Sequence, residues 1–414
     1  MNQTCVLALA ATVACEGGTA ADDDDNPMSS SSTAASTSES APTDGGPPGD
    51  ASSDTTSGTS VDGDSSASGD PDDDSGTDSG STGDPGVMVD PGTLVAFLAY
   101  DFGGVSVLTI EDGVATELEG SPFGPKFARM NNVLVVDDRL IATMLPTFDP
   151  QLFTFDIEPS TGALTLAVES PTGGQYADLV RHPTMERVYA TNMGDATVRA
   201  FAIGVDGSLN LVGDAQDAGS FPTGAATRPD GSQVYVASQD GFASFPVQGD
   251  GSVAVSAPFA GPVSSARSVA VSAEGDCLYG GVGDGIAVAT IDGNGLPTLL
   301  VGRHDRGTEY HIVRTPQSET YATDFIVATT VDQTLSWRAD GAGACELSTQ
   351  AGVHAFGGEP SNLLEVDGGF VVGLVDTSAE LHVLGVSETG AMEPIDGSPF
   401  AIAEEHRDVQ LMRL

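Results

Sequence analysis

Apolar and polar positions alternate along most of the chain in short runs, each closed by Gly, Asp, Asn or Pro. This is the pattern of half-buried strands joined by tight turns. One stretch shows the unit in full. Ala177–Arg181 predicts a first strand, Arg187–Thr191 a second, Thr197–Ile203 a third and Leu209–Val212 a fourth, with turns at His182-Pro183, Asn192–Asp195 and Asp206-Gly207. Aligned on the third strand, copies of this unit centre on Leu108, Phe155, Phe201, Phe245, Ala289, Trp337 and Leu384, at spacings of 47, 46, 44, 44, 48 and 47 residues. Seven copies of a four-stranded antiparallel unit at a nearly constant period predict an all-β chain folded as a seven-bladed β-propeller over residues 92–414.

The two ends of that region complement each other. Leu94–Tyr100 has the character of a second strand with no inner strand before it, and Arg407–Met412 that of an inner strand with nothing after it. The C-terminal strand is therefore expected to complete the first blade, which leaves no free sheet edge where the ring closes.

Composition separates this region from what precedes it. Residues 16–91 hold no Lys or Arg and almost no large apolar side chain, and they include runs such as Asp22–Asp25 and Asp72–Asp74. Such a segment cannot bury enough apolar surface to offset its chain entropy, so a disordered acidic linker is expected. Eighteen of the 60 acidic residues lie there, which leaves 42 acids against all 14 basic residues, a net charge of −28 for the remainder. That balance argues against nucleic acid and anionic membrane surfaces as partners, because both require a basic footprint. It suits a protein kept soluble in high salt; the single lysine, Lys126, is equally the mark of a GC-rich genome. A monomer is expected.

Residues 1–15 contain the apolar run Val6–Ala14, too short to span a bilayer and of the length of a signal-peptide core. Thr12-Val13-Ala14-Cys15 is similar to a bacterial lipoprotein cleavage box, with Cys15 as the lipidated residue; ordinary cleavage near Ala14 or Ala20 is the alternative. Either makes the protein extracytoplasmic, secreted or held at the outer membrane or cell surface, with membrane attachment only through Cys15. In an oxidising compartment Cys277 and Cys345 have the option of pairing, although the repeat places them in different blades. No CxxC or HxxxH spacing accompanies them, and the Asp runs lack calcium-loop spacing, so no metal is expected. No P-loop, dinucleotide fingerprint or Gly-x-Ser-x-Gly occurs, and no cofactor is expected.

Val188-Tyr189-Ala190-Thr191-Asn192 and Val234–Ser238 resemble the "YVTN" strand of the lactonase-type seven-bladed propellers, a phosphogluconolactonase-like group. Arg228-Pro229-Asp230-Gly231 resembles that group's turn, and Phe155–Leu164 its hairpin; Gly-Ser-Pro-Phe occurs at both 120–123 and 397–400. The resemblance implies a site over the central channel built from His, Arg and Glu, and lactone hydrolysis or muconate-cyclase-like chemistry. Where the group carries a His-Pro-His run in the third blade, this chain has Gln175-Tyr176-Ala177-Asp178; the nearest echo, Tyr310-His311, lies in the sixth.

The few cations are placed selectively. Arg181, Arg228 and Arg314 lie near the ends of predicted inner strands, beside Pro183, Pro229 and Pro316, and read as scaffold. Arg129, Arg267 and Arg407 lie at the beginnings, where ligands meet a propeller, joined by Tyr176, Asp178, Glu309 and His311. One reading is an anion-attracting funnel; the other is that these arginines neutralise neighbouring acids. His311 with Glu309 is the candidate general base. His182 reads as structural and Trp337 as core. The leading expectation is a binding or interaction module for a small anionic ligand or a protein partner, with a lactonase-like enzyme or a structural envelope protein as alternatives.

Overall fold

The computed structural model describes residues 93–414 except 102, 146–150, 259–262, 264, 305–311, 315–324, 331–332, 341–344, 357–363, 368, 376–377, 388 and 404–405. The chain divides into two units, Met1–Asp78 and Ser79–Leu414, and only the second contains described residues. The expected signal segment, linker and Cys15 lie outside them.

Seven antiparallel sheets follow one another along the chain, each with a four-strand path. Their inner strands are His406–Arg413 (blade 1), Met130–Val136 (blade 2), Tyr176–Arg181 (blade 3), Gly224–Thr227 (blade 4), Ala266–Val271 (blade 5), Ile312–Arg314 (blade 6) and Leu364–Asp367 (blade 7). Each inner strand contacts the next, and that of blade 7 contacts that of blade 1, so the ring is closed. Leu94 pairs with Arg413 and Tyr100 with His406, which inserts the last strand of the chain into the first blade as its innermost member.

The core lies between blades. Second strands such as Leu94–Tyr100, Gln233–Ser238 and Phe370–Val375 are buried along almost their whole length, because neighbouring blades cover both faces, which explains their near-continuous apolar sequences. Outer strands are covered less, and Leu209–Asp217 is largely exposed or half-buried beyond Leu209. All seven repeat anchors occupy third strands and are buried, Trp337 among them. Val95 and Phe97 of blade 1 pack with Leu140 and Phe155 of blade 2, and Leu94 and Leu98 pack with Val372 and Leu381 of blade 7.

Several boundaries differ from the sequence expectation. The outer strand of blade 3 runs on to Asp217, past a register shift between Val198 and Ala200 that lets it continue along its neighbour. Blade 4 has an outer strand of only two residues, Ala257–Pro258, where Pro258 can donate no further ladder bond. The two Gly-Ser-Pro-Phe segments are structural equivalents. Ser121 Oγ accepts the Val107 N–H and Ser398 Oγ accepts the Val383 N–H, each fastening the segment to a third strand. Cys277 and Cys345 form a disulfide with a Cα–Cα distance of 5.4 Å, joining the second strand of blade 5 to the approach to the outer strand of blade 6.

Candidate functional site

The inner strands begin on one face of the ring, where the second-to-third connections of each blade also lie. Four of them begin with the same irregularity. Register shifts leave Arg407, Asn131, Ala177 and Arg267 as the extra residue opposite the second strand in blades 1, 2, 3 and 5. A bulge of this kind re-aims a side chain out of the ladder. In blades 2 and 3 a buried threonine mends the interrupted ladder: Thr143 Oγ1 accepts the Asn132 N–H and Thr191 Oγ1 the Asp178 N–H, both at 3.1 Å. Arg407 and Arg267 are thus equivalent, whereas Arg129 stands two residues before the bulged Asn131.

Arg407 and Arg129 nevertheless meet at one carboxylate. Arg129 donates through Nε and Nη2 to the two oxygens of Asp101, at 2.6 and 2.7 Å, and Arg407 Nη2 donates to Asp101 Oδ2 at 2.9 Å. Asp101 is 5% exposed, while each arginine side chain keeps 42% of its surface. Burial by itself would raise the Asp101 carboxyl, but the hydrogen bonds and charges of the two arginines outweigh it and hold the group below the ordinary carboxylate range. One buried anion therefore holds two guanidinium groups side by side, with part of each facing outward. Asp101 escaped the sequence reading. Its signal was positional, because the turns after second strands also carry Asp195, Asp240 and Asp284.

The turn after Asp101 is shaped to receive the segment that precedes Arg129. Gly104 has φ +100, and a Cβ there would collide with the carbonyl of Phe123. Gly104 N–H donates to Ala128 O at 3.1 Å. Lys126 and Phe127 project from this segment, Phe127 with 88% of its surface exposed.

The other predicted residues are distributed as follows. Tyr176 is 2% exposed, wedged edge-on against Phe201, with its hydroxyl donating to Thr172 O. Asp178 is buried, and its oxygens accept the N–H groups of Leu179 and of Ala225 in the next blade, each at 2.9 Å. Arg267 stands in blade 5, three blades round the ring from Arg407, with its carbonyl accepting from Thr223 Oγ1. His311 and Glu309 lie outside the described residues, as does the side chain of Arg314. Arg181 pairs with Asp137, and Arg228 bonds Gly275 O. His182 is buried, with Nδ1 accepting the Thr184 and Met185 N–H groups and Nε2 against Gly231 O of blade 4.

Residues 140–268 match the family described as "Lactonase, 7-bladed beta-propeller". No curated protein sequence matches the chain. Among solved structures, a candidate 6-phosphogluconolactonase from Bacteroides uniformis is similar at 14% identity and TM-score 0.61, over 77% of this chain and 99% of that one. The periplasmic gluconolactonase PpgL of Pseudomonas aeruginosa is similar at 13% identity and TM-score 0.61, over 77% and 99%. Apo AztD of Citrobacter koseri is similar at 11% identity and TM-score 0.52, over 78% and 98%. The fold is that of the lactonase-like seven-bladed propellers.

Proposed function

We propose that this chain is an extracytoplasmic, lactonase-like propeller that takes a small organic anion at the channel mouth and opens a sugar-acid lactone there. The observation that carries this reading is the Arg129–Asp101–Arg407 cluster, two arginines with half-exposed side chains held by one carboxylate on the face where inner strands begin. Guanidinium groups so held suit a carboxylate, or the oxyanion that develops when water adds to a lactone carbonyl. His311 is assigned as the base that removes the proton from the attacking water and returns it to the ring oxygen as the C–O bond breaks, with Glu309 orienting it. The lactonase-type match and the likeness to the gluconolactonase and candidate 6-phosphogluconolactonase structures support the same class of substrate.

Placement outside the cytoplasm draws on the Cys277–Cys345 disulfide, a bond that persists in oxidising compartments, and on the periplasmic similar structure. Cys15 is assigned as a lipid anchor, with the acidic segment after it as a self-repelling spacer. Fatty-acid labelling that persists in Cys15→Ser would remove the anchor.

A second reading, a binding module without turnover, is favoured by Asp178. Where the lactonase-type group has its third-blade motif, this carboxylate is occupied by two main-chain amides. Hydrolysis of D-glucono-δ-lactone in a pH-stat, with gluconate binding measured by calorimetry, separates the two. Turnover that His311→Ala abolishes and Arg407→Ala weakens through KM supports the enzyme; gluconate binding without turnover leaves the binding module; neither result in the wild type defeats both.

A further inference from the structure

Among the described non-glycine residues with positive φ, two are aromatic: Phe127 at +76° and Phe221 at +49°. A bulky side chain in this region is strained by contact with its own backbone, at a cost that persists only where the surroundings impose the conformation. Both sit in segments leading into inner strands, on the face that carries the arginines, and neither is covered: Phe127 is 88% exposed and Phe221 57%. The local chain holds Phe127 firmly. Ala128 N–H donates to Pro125 O at 3.2 Å and its carbonyl accepts from Gly104, while a Cβ on Gly103 would already touch the Phe127 backbone nitrogen. The backbone that carries this strained, exposed ring is thus fastened to the turn that follows Asp101, and the ring stands two residues before Arg129 and next to Lys126 in sequence. In a chain this acidic, Lys126, Arg129 and Arg407 against Asp101 make a small cationic island with an apolar ring at its edge.

We propose that Phe127 is the specificity-determining residue of this mouth, a platform on which the apolar face of a ring-shaped anion lies while the arginines take its charge. Rings of partly apolar character gain from contact with an aromatic face, and a phenyl group held by a fixed backbone loses little freedom on binding. The proposal rests on the anion-binding reading above and adds which residue selects for a ring.

Tetrahydropyran-2-carboxylate and methoxyacetate separate the two claims, because they share an α-alkoxy carboxylate and differ in the ring. Calorimetric or ligand-observed NMR titration of the wild type is expected to show preference for the ring, and Arg407→Ala to weaken both anions. Phe127→Gly removes the ring while suiting φ +76, so the variant is expected to melt no lower than the wild type. Its preference for the cyclic anion should fall by about tenfold, roughly the size of one lost apolar contact, and Phe127→Trp should restore it. Phe221→Gly, with the same backbone relief, should keep the preference. Retention of the preference in Phe127→Gly, or its loss in Phe221→Gly instead, would overturn the platform and leave the anion site standing. A wild type that binds neither anion would overturn the anion-binding reading, and the platform with it.

Discussion

Asp408 reaches from the last strand of the chain to Val133, 275 residues away in sequence, and accepts its backbone N–H at 2.7 Å. Its other oxygen accepts the N–H of Val409. Asp178 makes the same pair of bonds, to Leu179 and across to Ala225. Each carboxylate thus clasps its own inner strand to the next one and satisfies buried amides that no ladder serves. Asp178→Ala should leave the Ala225 amide buried without its acceptor and cost about 1–3 kcal/mol, the desolvation penalty of such a group. Urea denaturation of the variant against the wild type measures this.

Deleting residues 405–414 should abolish cooperative unfolding. It removes the ladder from Leu94 to Tyr100, takes away buried Val409 and Leu411, and exposes a bare apolar edge. Calorimetry that returned an unchanged transition would show that the ring does not need this strand.

The Cys277–Cys345 bridge spans 68 residues, and closing a loop of that length in the unfolded chain is worth ~4 kcal/mol in the chain-entropy account. Dithiothreitol should lower the melting temperature of the wild type and leave that of Cys277→Ser/Cys345→Ser unchanged, since only the wild type has a bond to lose.

Four of the six histidines, His182, His354, His382 and His406, have their pKa values lowered, in each case first by burial. The folded state therefore favours the neutral rings. Their contribution to stability is full above the ordinary histidine value near 6.5 and declines as pH falls through the lowered values. Midpoints of denaturation at stepped pH should fall below about pH 6.5, and less steeply in His406→Gln.

Asp101 acts in a lower window. Its carboxyl is depressed by Arg129 and Arg407 against the opposing effect of burial, so the stability it confers is present above the ordinary aspartate value of 3.8 and lost as pH falls through the depressed one. Asp101→Asn should be less stable than the wild type at neutral pH and converge with it in strong acid. It should also loosen the arginines and weaken anion binding at the mouth.

The architecture was readable because its signal is a sum over seven copies. Each of Leu108, Phe155, Phe201, Phe245, Ala289, Trp337 and Leu384 fills the same place in a third strand, so an error in one copy is outvoted by the others. Closure by the C-terminal strand was readable for a related reason, since two unmatched apolar strands each lacked what the other supplied. The site was less so. A bulge at Arg407 or Ala177 is a property of pairing with another strand and leaves no mark on its own sequence. Asp101 gains its meaning from Arg407, 306 positions later. For Asp178, the side-chain pattern marked its place at the start of an inner strand but not that its carboxylate accepts two main-chain amides, one of them in the next blade. His311 and Glu309 lie outside the described residues.

The way the ring closes also sets when it can form. Until the strand His406–Arg413 is in place, the strand Leu94–Tyr100 has no inner partner, and every later blade is built on an open arc. Such long-range pairing is slow to establish. Ring closure therefore waits for the strand His406–Arg413, and a chain that lacks it keeps Asp101 with Arg129 but without Arg407.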